Sequence, residues 1–284
     1  MNIIRNNFLF FCFFLLLFLP KYILAQGETD LYFPKKEIEL KLLIDSILSA
    51  DVLEEKQLLN DQFCGLLKEV LEHENSFIYP FSELNNIAKT TSSDENVRVF
   101  SWAFPKNNGT YAYFAAVQFY LKNDKKFVLT FLEDKSEEIQ NPENAALNAR
   151  KWFGAVYYQV LYNKDGNDKY YTLLGWNGSD KFSEKRVIEA MTFNNNGQPV
   201  FNSAIFVKDR RKVKRIILEH SEQSQMNLRY NENLNMIVFD HLMPTQPTFE
   251  GNYKFYVPDA SFDGLLFEDG AWILKPDVDV RNDY

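Results

Sequence analysis

Val97-Arg98-Val99-Phe100-Ser101-Trp102-Ala103-Phe104, then Pro105-Lys106-Asn107-Asn108-Gly109, then Thr110-Tyr111-Ala112-Tyr113-Phe114-Ala115-Ala116-Val117-Gln118-Phe119-Tyr120-Leu121: this stretch decides the fold. Two runs of β-branched and aromatic residues flank a five-residue segment that ends in Asn-Gly, which is the signature of an antiparallel hairpin. Alternation between apolar and polar residues fails in the first run. Val97, Val99 and Ala103 fall on one face while Phe100, Trp102 and Phe104 fall on the other, so both faces of this strand need cover.

Downstream the same grammar repeats. Turn signals at Asn123-Asp124-Lys125, Asp165-Gly166-Asn167, Asn177-Gly178 and Asn194-Asn195-Asn196-Gly197 separate predicted strands Phe127 to Glu133, Trp152 to Tyr162, Tyr170 to Trp176, Arg186 to Phe193 and Val200 to Val207. Further strands are expected over Val213 to His220, Met226 to Tyr230, Asn235 to Asp240, Tyr253 to Val257 and Trp272 to Lys275. A short helix is predicted over Pro142 to Arg150, capped by Asn141. Connections this short exclude parallel crossovers, so the strands form an antiparallel meander, either one curved sheet or two packed sheets.

Upstream of residue 95 the apolar period is helical. Leu40, Leu43, Ile44, Ile47 and Leu48 share one face, with Pro34 in the first turn; Leu59, Phe63, Leu66, Leu67 and Val70 share another after Asp51 and Glu54, which resemble a capping box. The predicted fold class is therefore α+β: an N-terminal helical hairpin followed by a large antiparallel meander, with the hairpin covering one sheet face. The expected organisation is a leader over 1–25, a helical region over 26–95 and a β region over 96–284 that shares one core with the helices.

The leader reading rests on Arg5, the apolar block Phe8 to Leu19 and the break at Pro20-Lys21, with cleavage between Ala25 and Gln26. The block is shorter than the roughly 20 residues a membrane-spanning helix needs. Export to the periplasm or the extracellular space follows, with no integral membrane segment left after cleavage. Loss of Arg5 and Lys21 with the leader takes the formal charge from −8 to −10. That surface argues against nucleic acid as a partner. Of the two cysteines only Cys64 survives cleavage, so an internal disulfide is excluded.

No nucleophile elbow, zinc-binding H-E-x-x-H, phosphate loop or dinucleotide turn is present. The sequence implies no cofactor and no metal, because His220, Glu222, Asp240 and His241 lie at strand ends without ligand spacing. Two candidate chemistries remain. Asp263 and Glu268, with Asp259 and Asp269, gather around Gly264, read as a turn, and two carboxylates across a cleft could run hydrolysis of a polymer. Tyr157-Tyr158 and Tyr170-Tyr171 flank a hairpin that leads to Trp176, and each pair sends one ring to each face; Tyr158, Tyr171 and Trp176 could then form an aromatic binding row.

The stretches Lys151-Trp152-Phe153-Gly154 and Tyr170-Tyr171-Thr172-Leu173-Leu174-Gly175-Trp176-Asn177-Gly178, together with Val99-Phe100-Ser101-Trp102 and the Ala25-Gln26 junction, resemble segments of secreted proteins of Bacteroidota that carry no assigned function. The resemblance implies an exported envelope or extracellular protein and transfers no site residue. The resulting expectation leans away from an enzyme: a non-catalytic binding or assembly module whose partner is a glycan or an envelope protein. The alternative is an extracellular hydrolase working through Asp263 and Glu268.

Overall fold

A computed structural model describes residues 20–122, 124–208 and 210–280, with side chains from 31 onward. The apolar block of the leader lies outside the described residues. Two compact units emerge among the described residues: 20–50 with 55–85, and 51–54 with 86–280.

The first unit holds helices α1 (Pro20–Ser49) and α2 (Leu53–Leu71). Leu40, Ile44 and Ile47 of α1 and Phe63, Leu67 and Val70 of α2 are buried, as their helical spacing predicts. One detail differs from expectation. Pro34 lies inside α1 rather than in its first turn, and its missing N–H removes one backbone bond. Lys36 bridges α1 to Glu69 of α2 at 3.0 Å. Residues 72–85 then fold back onto α1. The buried carboxylate of Glu37 accepts from the Tyr79 hydroxyl and from the Glu83 N–H, each at 2.7 Å, which satisfies a charge that would be costly alone.

The second unit is mostly β, with three short 3₁₀ turns. Its first sheet has the order β1 (Ala88–Thr91), β2 (Val97–Pro105), β3 (Tyr111–Leu121), β4 (Lys126–Leu132). The middle sheet has the order β5 (Leu147–Asn148), β9 (Pro199–Phe201), β8 (Ser183–Phe193), β7 (Asp168–Asn177), β6 (Val156–Asp165), and β12 (Arg215–Ser221) joins it along β8. A third sheet orders β11 (Arg211–Val213), β10 (Phe206–Lys208), β16 (Ala271–Lys275), β15 (Tyr256–Glu268), β14 (Met236–Pro244) and β13 (Leu228–Asn231). Pairing is antiparallel throughout these sheets except between β10 and β16.

The helical hairpin and the antiparallel strands are thus present, but the strands occupy three sheets rather than one or two. Hydrophobic burial explains the layering. Leu173, Val187 and Met191 of the middle sheet pack with Val97, Val99 and Val117 of the first, while their neighbours Leu174, Ile188 and Ala190 pack with Ile237, Leu265 and Trp272 of the third. A strand buried on both faces loses its alternation, which is why the pattern failed. Each such side chain contributes about 1.5–3 kcal/mol by leaving water.

Four expectations on local structure are corrected. The run Val200 to Val207 splits between β9 and β10 because Phe201 enters the first core and Phe206 the second, and Val213 to His220 is interrupted at Lys214, between β11 and β12. Pro142 to Arg150 forms no helix: Asn141 takes a positive φ of 47°, and the carbonyls of Pro142 and Ala145 accept from the Arg215 guanidinium instead of from helical N–H groups. Gly264 is not a turn but an interior position of β15, paired to Val238 and Lys275.

Candidate functional site

The site starts from an irregularity in the middle sheet. Between β6 and β7 the register runs Tyr157 to Gly175 and then Gln159 to Leu174, so Tyr158 is an extra residue without a partner. Such a bulge re-aims its side chain. Tyr157 points into the first core and is fully buried, while Tyr158 is turned outward and 40% exposed. Its ring is not free to swing. The hydroxyl donates to the Leu228 carbonyl at 3.0 Å, and burial of this end pushes the phenol up to about 12.

Trp176 lies beside it on β7, directly across from Arg186 of β8. The indole is held edge-on by Tyr111, with ring centroids 5.1 Å apart at 80°. Gly178 permits this approach, since a Cβ there would fall 2.5 Å from the Tyr111 ring and 2.7 Å from the indole. Asn177 and Gly178 fix the strand end: the Asn177 amide donates to the Gly154 carbonyl at 2.6 Å, and the Gly178 N–H donates to the Tyr113 hydroxyl at 2.8 Å. The Trp-Asn-Gly motif is therefore an anchor for the indole.

Arg186 completes the wall. Its Nε donates to the Met226 carbonyl at 3.1 Å, and its guanidinium lies 3.8 Å from Glu184. Asn227 is fixed in turn through its backbone and side-chain N–H groups, which donate to Asp240 at 2.7 and 3.0 Å. Tyr158, Trp176, Arg186, Met226, Asn227 and Leu228 enclose a shallow hollow of about 370 Å³. It presents two aromatic rings, one guanidinium and one amide, and among the described residues no histidine or carboxylate lines it.

Tyr171, the third aromatic of the expected row, lies elsewhere. It is 2% exposed and faces the first core, with its hydroxyl donating to Asp94 at 3.0 Å. Burial beside that carboxylate raises its phenol far above the ordinary value. Its neighbour Tyr170 packs toward Phe267 and the other core. The row is thus reduced to Tyr158 and Trp176. Arg186, Met226 and Asn227 were not singled out by the sequence, because only strand register brings them together.

Asp263 and Glu268 are five residues apart on β15, a span of roughly 16 Å at the rise of a strand, and the odd spacing puts them on opposite faces. Asp263 accepts from His241 Nδ1 at 2.8 Å, and Glu268 pairs with Lys275 at 2.9 Å. They do not face each other across a cleft. Among the described residues no group of three or more His, Cys, Asp or Glu side chains could hold a metal, and no helix is long and apolar enough to cross a membrane. Cys64 is partly buried, its thiol pushed up to about 12 by desolvation, with the Asn60 amide 3.6 Å away.

No family model, curated protein or solved structure matches the chain.

Proposed function

We propose that this chain is an exported, non-catalytic binding module of the cell envelope or extracellular space, and that the Tyr158–Trp176–Arg186 hollow receives a sugar ring of a glycan. One observation carries the reading: an outward-turned Tyr158, pinned by Leu228, and a partly buried Trp176, packed against Tyr111 at the margin of the first core, border an open hollow. Pinned rings lose little freedom on binding, so their apolar faces are available for stacking. Arg186 and Asn227 add hydrogen-bond donors at the edge, and a flat apolar face bordered by donors suits the amphipathic face of a sugar. The hollow offers no paired acid and base, so binding rather than hydrolysis fits it. Electrophoresis of the chain through gels cast with soluble polysaccharides tests the reading. Retardation by at least one polymer is expected; unchanged mobility in every gel contradicts it.

A further inference from the structure

A cavity of about 610 Å³ in the second unit is lined by residues of the 136–143 segment, β12, β14 and β15. The turn Tyr253–Phe255 and β15 pack against β12, which makes that strand a wall of the cavity. Phe153, Phe239, Tyr253 and Tyr256 place aromatic rings in the lining.

Charge in this lining does not balance. Of its four carboxylates, three have a cation partner: Glu143 has Lys208 at 2.8 Å, Asp263 has His241 at 2.8 Å, and Glu219 has Lys185 at 3.8 Å. Among the described residues those three cations are the basic side chains of the lining, so one negative charge is in excess even when His241 is protonated. The excess belongs to Asp240. Its side chain is buried, at 6% exposure, and no lysine, arginine or histidine of the described residues forms an ion pair with it. Oδ2 accepts from the backbone and side-chain N–H groups of Asn227 at 2.7 and 3.0 Å, while Oδ1 accepts no hydrogen bond from the described residues. The basic groups of the neighbourhood supply no counter-charge: burial keeps His220 neutral, and Arg186, which acts on His220, lies 3.8 Å from Glu184. A buried carboxylate without a counter-charge is costly, and a cation entering the cavity lowers that cost.

We propose that this cavity binds a small amphipathic cation, an ammonium group on an apolar body, with its charge at Asp240 and its body among Phe153, Phe239 and Leu242. Aromatic faces add attraction for the ammonium group, and the volume suits a small organic molecule. The cavity and the aromatic hollow share no lining residue, so the proposal stands whether or not that hollow binds glycan.

Titration calorimetry of the full chain with phenethylammonium, the neutral phenethyl alcohol and the anion hydrocinnamate tests it, with Asp240→Asn and Leu242→Trp variants alongside. Asparagine keeps an oxygen for Asn227 and removes the charge; tryptophan keeps the charge and fills the cavity. Phenethylammonium should bind the wild-type chain about tenfold or more tightly than the alcohol or the anion, and should lose about tenfold or more with either variant. In the wild-type chain it should also move the imidazole resonances of His241, which lines the cavity, and leave those of His73 in place, a readout independent of how the variants fold. No binding of phenethylammonium, equal binding of the alcohol, full affinity with either variant, or an unmoved His241 overturns the proposal.

Discussion

Arg215 and Glu189 face each other across β12 and β8, with Nε 2.9 Å from the carboxylate and both side chains fully buried. Glu189 also accepts from the Tyr157 hydroxyl, whose oxygen accepts from Trp152 Nε1 at 2.7 Å. Nη1 donates to the carbonyls of Pro142 and Ala145, and Nη2 to that of Phe201. A single ion pair between β12 and β8 thus holds residues 142–145 and links β9 and β6 within the middle sheet. Its charges are tolerable in the core because hydrogen bonds surround them.

Removing one partner should therefore be severe. Glu189→Leu leaves a buried guanidinium unpaired and is expected to cost about 3–5 kcal/mol in urea unfolding. The double variant Glu189→Leu with Arg215→Met should recover part of that loss. A single variant as stable as the wild type would show that the pair is solvated.

Gly178→Ala should disturb the hollow without replacing a binding residue. The new methyl would crowd both Tyr111 and Trp176, and overpacking of this kind typically costs about 1–3 kcal/mol. Trp176 fluorescence reports the displacement. An unchanged spectrum and an unchanged unfolding midpoint would contradict the packing described.

Two histidines should shift stability in opposite directions with pH. His220 is buried, with Nδ1 on the Ser221 carbonyl at 2.9 Å and Nε2 without a hydrogen bond, and burial lowers its pKa, with Arg186, Glu184 and Asp240 as the charges that act on it. Its stabilising effect is full above the ordinary imidazole value near 6.5 and is lost as pH falls below that value toward the lowered one. His241 is raised by its hydrogen bond to Asp263, with Asp259 adding to the shift; its contribution is full below the ordinary value and is lost as pH rises through the raised one. Imidazole NMR titration checks both. Asp263→Asn should bring His241 down, and His220→Gln should flatten the acid limb of the stability profile. Titration of His220 above the ordinary value would contradict its burial.

The hairpins around Asn108-Gly109, Gly166 and Asn196-Gly197 were legible because their turn residues and strand propensities are local. Allocation of strands to sheets was not. Whether Phe201 and Phe206 share a core depends on packing far along the chain, and no turn residue marks the passage between their sheets. The same distinction governs the site: adjacent tyrosines announced that Tyr157 and Tyr158 part to opposite faces, yet the bulge that exposes Tyr158 and the register that sets Arg186 beside Trp176 are pairwise properties of strands. Arg215 shows the limit most clearly. Nothing in its local sequence marks it as the charge that denies residues 142–150 a helix.

A glycan and envelope-polymer array run with the wild-type chain beside folded Trp176→Ala and Tyr171→Phe variants decides whether the Tyr158–Trp176 hollow binds glycan. The expected result is a defined set of bound glycans that loses about tenfold or more in affinity with Trp176→Ala, equivalent to roughly 1.4 kcal/mol, and is unchanged with Tyr171→Phe. No bound glycan at all, or binding that survives Trp176→Ala, would contradict it.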